Sequence, residues 1–559
     1  MAGSKKRDSN YASSLQPDST GIRSVNPSAW PQFPFDNPPK IPEYSKAIYS
    51  IQEETDGRIP MRDGVRLAAD IFRPSASGQK FPALLAVSPY TRQLQRTVVP
   101  SHQNEAGITE FWVPRGYAHI IVDVRGSNDS EGTWDMMGPK EQQDLFDLIE
   151  WIAQQPWCDG NVGMTGCSYF GWSQLMAASQ QPPHLKAIFA FDAAIDLYRE
   201  AYFHGGIFCG GWAGFWFAGV ASENLTGPRL KDPSGMQHHF KTVLDIDYPF
   251  DGPYYQERLS WPRLNRIQTP VYFVCDWSFY SLHLRGAFEG WEGVGDIPKR
   301  MLIGPLPRPR RPLGAYHQEA LRWYDYYLKG MDTRIMDGPP IQLYIPGLNR
   351  WRGEREWPLA RTQWREFFLS GETAKSNRKL EDNPGPDTVG IIDYNPANPE
   401  TRRGGPRLVY RSEPLSQDLE VTGPLALYLW ASSTASDTDW FVSFRDEAPD
   451  GQSAELTVGR LRASHRELDS ARSKRWRPFH PHTKADPLIP SQAYEFAIEI
   501  WPTSNVFKAG HRLRLELANC DDQTDFRRRH EPLLTPAKNT VLEGCHYPSR
   551  LLVPVVPAR

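Results

Sequence analysis

The 559-residue sequence predicts a mostly parallel α/β domain with an inserted cap, followed by an all-β jelly-roll domain. Three observations lead there. Short apolar runs alternate with segments of helical period between about residues 58 and 330, as in a parallel sheet with crossover helices. Gly- and aromatic-rich sequence interrupts that alternation at about 200–262. Beyond about residue 365 only short alternating runs remain, separated by Pro, Gly and Asp turns, which is the pattern of a β-sandwich. The expected organisation is a polar tail over 1–45, an α/β domain over 46–365 with its cap at 200–262, and a jelly roll over 366–559.

Each element has its own local reason. The stretch 58–74 alternates around Asp63-Gly64, a hairpin signature. The runs at 82–90, 118–126, 160–168, 185–191, 270–277 and 300–305 are apolar and bounded by Gly or Pro, as buried strands are. Between them, 138–155 carries Leu145, Leu148, Ile149 and Ile152 at helical spacing. "YFGWSQLMAASQ" after Ser168 reads as a second helix, and 317–330 is amphipathic and ends on Lys329-Gly330, a helix C-terminus.

Composition narrows the function. With 63 basic and 66 acidic residues, net charge −3, the chain has no polybasic character, so neither nucleic acid nor an anionic membrane surface is an expected partner. No run of about 18 apolar residues exists to span a membrane. The N-terminal MAGSKKRDSN lacks the apolar core of a signal peptide, so a reduced, cytoplasmic setting is expected. Six dispersed cysteines show no C-x-x-C pair or Cys/His spacing typical of zinc, so neither a disulfide framework nor a metal is expected.

The segment most informative about chemistry is Gly163-Met164-Thr165-Gly166-Cys167-Ser168-Tyr169-Phe170-Gly171. A strand enters, a Gly-flanked turn carries a serine, and a helix leaves. That is the context of a nucleophile elbow, in which a strained turn projects Oγ above the sheet. The N–H of Tyr169, at the helix N-terminus, then faces an oxyanion. The spacing is G-x-S-x-x-G, one residue longer than the common G-x-S-x-G.

This segment, together with "DVRGSNDSEG" (123–132), "IEWIAQQPWCDG" (149–160), "LRWYDYYLKGMDT" (321–333), "SDTDWFVSFRDEAPDG" (436–451), "GRLRASHR" (459–466) and "PTSNVFKAGHRLRLE" (502–516), resembles the X-Pro dipeptidyl-peptidase / cocaine-esterase-like (CocE/NonD) hydrolases. The resemblance covers about residues 46–557. It implies an α/β-hydrolase domain with a helical cap insertion and a C-terminal jelly roll, working without a cofactor. It also implies a tyrosine hydroxyl as second oxyanion donor, at the position of Tyr90 in "AVSPYTR".

The sequence departs from the family at the other two members of the triad. Where the family has its acid in a W-x-D strand end, "CDWSFYSLHLRG" carries Phe279, with Asp276 ahead of the tryptophan. Where the family has G-P-W-x-H, "GPLPRPRRP" carries Arg308, and the next histidine is His317. A serine needs a base, and the base needs an orienting group. Three arrangements remain open: Asp276 with His317 or His283, Asp276 alone as base, or a Ser168 that is no longer a hydrolytic nucleophile.

The expected function is therefore an ester, amide or related acyl hydrolase, or an acyltransferase, using an acyl-enzyme on Ser168. The alternatives are a cyclase, isomerase or lyase of secondary metabolism on the same scaffold, or a pseudoenzyme. Trp172, His204, Trp277 and Phe279 are the candidate pocket residues, and an aromatic cap implies a bulky, apolar small-molecule substrate. Self-association through the cap or jelly roll is compatible with the sequence. Asp123 and Arg125 are expected to pair behind the elbow, and the Arg308, Arg310 and Arg311 run to be a solvated loop.

Overall fold

The computed structural model describes residues 40–96, 105–225, 246–305, 313–372, 375–401, 405–521 and 528–557. Most of the polar tail, much of the expected cap around His238 and His239, and the arginine run at 308–311 lie outside them.

The first domain is built on a ten-stranded sheet. Its strands are β1 (Ile51–Pro60), β2 (Arg66–Pro74), β3 (Phe81–Ser88), β4 (Ala118–Asp123), β5 (Cys158–Met164), β6 (Leu185–Phe191), β9 (Val271–Asp276), β10 (Lys299–Gly304), β11 (Ile341–Ile345) and β12 (Arg350–Glu354). A small hairpin, β7 (Phe203–His204) and β8 (Ile207–Phe208), stands apart. The strand order is β1-β2-β4-β3-β5-β6-β9-β10-β11-β12. β1 and β2 form the expected hairpin, and the strands from β4 across to β11 are parallel. Such strands are covered on both faces, so they read as continuous apolar runs. β3, β4 and β9 are buried along their whole length.

Crossover helices supply the cover. α1 (Pro139–Ala153) buries Leu145, Leu148, Ile149 and Ile152, the positions its periodicity marks. α2 (Tyr169–Ser179) is buried on every side, which explains its small residues and lack of a polar face. α3 (Gly210–Leu225) is the longest described helix of the cap. α4 (Leu284–Gly293) and α5 (Leu313–Lys329) complete the layer.

The second domain runs from β13 (Gln363–Glu372) to β23 (Arg550–Val556). Between them lie β14 (Lys375–Glu381), β15 (Thr388–Tyr394), β16 (Leu408–Arg411), β17 (Leu419–Ser433), β18 (Asp439–Glu447), β19 (Ser453–Arg462), β20 (Tyr494–Phe507), β21 (Arg512–Ala518) and β22 (Ala537–Glu543). The eleven strands are ordered β15-β22-β17-β20-β19-β18-β21-β16-β14-β13-β23, and β17 also pairs with β23, which closes most of the sheet on itself. The inner faces meet in a core containing Leu425, Leu427, Trp440, Phe444, Phe496 and Leu515. This is the all-β jelly-roll-like domain that the sequence predicts.

One expected pair is differently partnered. Arg125 binds Asp144 and Asp63. Asp123 instead accepts from Arg92 Nε at 2.7 Å, and the same guanidinium reaches Asp70 and Asp129. Each finds its partner on another segment: Arg92 lies between β3 and β4, and Asp144 lies on α1.

Candidate active site

β5 ends at Met164 and α2 begins at Tyr169, so Ser168 sits on the connecting turn above the C-terminal edge of the sheet. Ligands bind at that edge in open α/β folds. Ser168 has φ 61° and ψ −118°, a left-side conformation that costs a non-glycine residue on the order of 1–3 kcal/mol. Two hydrogen bonds hold it there: its N–H donates to Phe191 O at 3.0 Å, and its carbonyl accepts from Trp172 N–H at 2.9 Å. The flanking glycines are sterically required. A Cβ on Gly166 would lie 2.3 Å from the Phe170 Cβ, and one on Gly171 would lie 2.5 Å from Phe191 O. The longer G-x-S-x-x-G spacing thus reflects where β6 presses on α2. Ser168 itself is partly exposed while Cys167 and Tyr169 are buried, as a projecting nucleophile requires.

Tyr169 is the first residue of α2, so its N–H has no intrahelical acceptor and is placed for an anion. Its hydroxyl points inward and donates to Glu141 Oε1 at 2.7 Å. Burial pushes the Glu141 carboxyl up to about 8, opposed by that hydrogen bond and by one from Met137 N–H. Tyr90, just past β3, lies edge-on to Tyr169 and Phe170, with ring centroids 6.2 and 5.9 Å away. Its hydroxyl oxygen accepts from Trp216 Nε1 of α3 at 2.9 Å. Trp216 stacks on Tyr169 and on Trp212, so the cap closes over the elbow with an aromatic wall.

Further along the same edge, Asp192 follows β6 and Asp276 ends β9. Asp276 is buried and its Oδ1 accepts from the Tyr316 hydroxyl at 2.8 Å. Asp192 is buried with φ 48° and accepts from Cys167 Sγ at 3.6 Å. Sequence reasoning missed Asp192. The available signal was its place at the end of "LKAIFAFD", a strand end in a fold whose strand ends face the cleft.

Among the described residues no hydrogen bond joins His317 to Ser168. His317 is buried on α5, stacked on Phe111 at 4.7 Å and edge-on to Trp112 at 5.1 Å. Its Nε2 faces the N–H of Ile108 at 3.4 Å. Burial pushes the ring down to about 3, so it is a neutral core residue. The apolar side of α5 carries it inward.

His283 lies on the cleft side. It precedes α4, and its ring is 6.3 Å from that of Trp172, one helical turn beyond Ser168, and 5.4 Å from Phe279. Among the described residues no hydrogen bond joins His283 to Ser168 or Asp276. Trp172 and Phe279 share an aromatic cluster with His283.

Two pocket candidates are placed elsewhere. Trp277 donates Nε1 to Tyr344 O at 2.7 Å and stacks on Phe288 beneath α4. His204 leaves the cleft altogether. It sits on the β7–β8 hairpin against the jelly roll, with Nδ1 2.9 Å from His530 Nε2. The Gly-rich sequence around it forms this hairpin, where His204 and Gly205 line a cavity with Val458, His480 and Trp501 of the second domain.

Comparison with known proteins agrees with this architecture. Residues 63–305 match the family model of the X-Pro dipeptidyl-peptidase (S15 family), and residues 333–552 match that of the X-Pro dipeptidyl-peptidase C-terminal non-catalytic domain. The cocaine esterase of Rhodococcus sp. (strain MB1 Bresler) is 28% identical over 583 residues, covering 89% of this chain and 97% of the relative. A putative serine esterase of Mycobacterium bovis is 27% identical, covering 89% and 94%. The crystal structure of a CocE/NonD family hydrolase from Staphylococcus aureus superposes with TM-score 0.79 at 26% identity, covering 91% of this chain and 94% of that one. No helix among the described residues is long and apolar enough to cross a membrane. With both family models matched in order, and a strained, partly exposed serine at the elbow between β5 and α2, the chain belongs to the X-Pro dipeptidyl-peptidase / cocaine-esterase-like (CocE/NonD) family of α/β-fold serine hydrolases.

Proposed function

We propose that the chain hydrolyses esters of bulky, apolar carboxylic acids through an acyl-enzyme on Ser168. The observation that carries the reading is the conformation of Ser168, held partly exposed at φ 61° and followed by Tyr169, whose ring the Tyr90 ring meets edge-on. Ser168 Oγ adds to the substrate carbonyl carbon, and its proton passes to the His283 imidazole, with the Asp276 carboxylate offsetting the charge that forms. The resulting oxyanion accepts from the Tyr169 N–H and the Tyr90 hydroxyl. Collapse of this intermediate breaks the ester C–O bond, and the leaving alkoxide takes up the proton. Water then adds to the acyl-serine by the same route, releasing the acid and restoring the Ser168 hydroxyl. Each oxyanion donor contributes on the order of 3 kcal/mol to such a barrier.

The aromatic wall of Tyr90, Trp212 and Trp216 supports an apolar substrate. The Rhodococcus relative's name, a cocaine esterase, supports an ester over an X-Pro amide. The test is a panel of p-nitrophenyl esters of aliphatic and aromatic acids, set against X-Pro p-nitroanilides. Turnover of the aromatic esters, lost in Ser168→Ala, is expected. A folded wild type that cleaves no ester, or a Ser168→Ala variant as active as wild type, contradicts the reading.

A further inference from the structure

We propose that His204, Cys209 and His530 form a zinc site that staples the hydrolase domain to the jelly roll. The β7–β8 hairpin docks on the second domain through backbone hydrogen bonds: Arg462 N–H to Gly205 O, Glu531 N–H to Phe208 O and Gly211 N–H to Arg529 O, each 2.9 Å. His204 and Cys209 come from the hairpin side, and His530 comes from the jelly roll. All three are buried, and one ligand atom from each lies within 4.8 Å of the others.

The hydrogen bonds on the outer side of the two rings decide what faces inward. His204 Nε2 is 2.9 Å from Glu200 O. A carbonyl only accepts, so Nε2 carries the hydrogen. His530 Nδ1 is 2.8 Å from Asp521 Oδ2, which also accepts from the His530 backbone N–H at 2.7 Å. That carboxylate oxygen accepts too, so Nδ1 carries the hydrogen of the second ring. A neutral imidazole has one N–H. His204 Nδ1 and His530 Nε2 are then bare lone pairs facing each other at 2.9 Å.

Two lone pairs at that distance repel unless a proton or a metal ion lies between them. Cys209, buried beside the two rings, supplies a third donor that a shared proton would leave unused. A metal ion resolves the conflict, and the donor set selects it. Two imidazole nitrogens and a thiolate suit zinc, at about 2.0–2.1 Å for nitrogen and about 2.3 Å for sulfur. Ligating histidines characteristically donate their outer N–H to a carboxylate or a carbonyl, the two partners present here. The Cys209 thiolate offsets the charge that Arg460 places against the ion, and water fills the fourth position. Cys209 is positioned by its own N–H, which donates to Tyr202 O at 2.7 Å. Chain spacing conceals the set, because its members come from two domains.

The test starts from the full chain stripped with a chelator and desalted. Zinc added in excess and removed by gel filtration is expected to remain at one equivalent per chain and to raise Tm. Cobalt(II) in its place is expected to give a thiolate-to-cobalt charge-transfer band. That band should vanish in Cys209→Ser and persist in Cys545→Ser, which alters the exposed cysteine. His530→Ala should lose the retained equivalent, and Ser168→Ala should keep it. Wild type that retains no zinc and shows no cobalt band overturns the proposal and leaves a shared proton between the rings. So does a band that survives in Cys209→Ser.

Discussion

The indole Nε1 of Trp216 donates a hydrogen bond of 2.9 Å to the hydroxyl oxygen of Tyr90. An indole N–H can only donate, so Tyr90 is the acceptor here and its own proton is directed away from the cap. A phenol whose oxygen already accepts is a stronger donor, because hydrogen bonds in a chain polarise one another. The cap thus reaches both Tyr90, through this hydrogen bond, and Tyr169, through the stacked Trp216 ring. Tyr90→Phe is expected to lower kcat by about 10²–10³, with KM changed far less, since the bond forms in the transition state. Trp216→Phe keeps the aromatic wall and removes the donor, and steady-state kinetics should show a smaller loss, about tenfold.

The histidines separate by location. His283→Gln and Asp276→Asn are each expected to slow ester turnover by at least about 10², as removal of a base or its partner does. His317→Leu is expected to keep its turnover and instead lower Tm, because the ring fills a packed site against Phe111 and Trp112. If His317→Leu is folded and inactive while His283→Gln is active, the assignment of sides is reversed.

Glu141 gives a pH dependence of stability. Its carboxyl holds its proton in the fold up to about 8, whereas an unfolded chain loses it near 4.5. The unfolded state therefore releases its proton first as pH rises. The contribution to stability is complete below about 4.5 and is lost progressively up to about 8. Glu141→Gln removes the titration and keeps an acceptor for the Tyr169 hydroxyl. Its Tm relative to wild type should rise by several degrees between pH 5 and pH 8, measured by differential scanning calorimetry.

Arg92 has no exposed side-chain surface and binds Asp70, Asp123 and Asp129, which are themselves 1%, 0% and 7% exposed. Removing it leaves buried carboxylates without their cation. Arg92→Met should cost at least about 3–5 kcal/mol in urea unfolding at pH 7.

Much of this molecule is legible in its sequence. Continuous apolar runs locate the parallel strands because both sheet faces are covered, and period-3.6 spacing locates α1 from Leu145 to Ile152. The elbow is legible because steric demands at Gly166 and Gly171 are local. Long-range pairing is not. Asp123 and Arg125 are near neighbours in the chain but take partners from other elements. His317 occupies a helix whose apolar face turns it into the core, and one residue's position in the sequence does not reveal that. His204 meets His530 across a domain boundary, which no spacing rule anticipates.

The central claim is that Ser168 is an activated nucleophile. Fluorophosphonate labelling, read by intact mass on wild type and Ser168→Ala, tests it most directly. One adduct per wild-type chain and none on the variant is expected. A folded wild type that takes up no adduct, or a Ser168→Ala chain labelled like wild type, contradicts it.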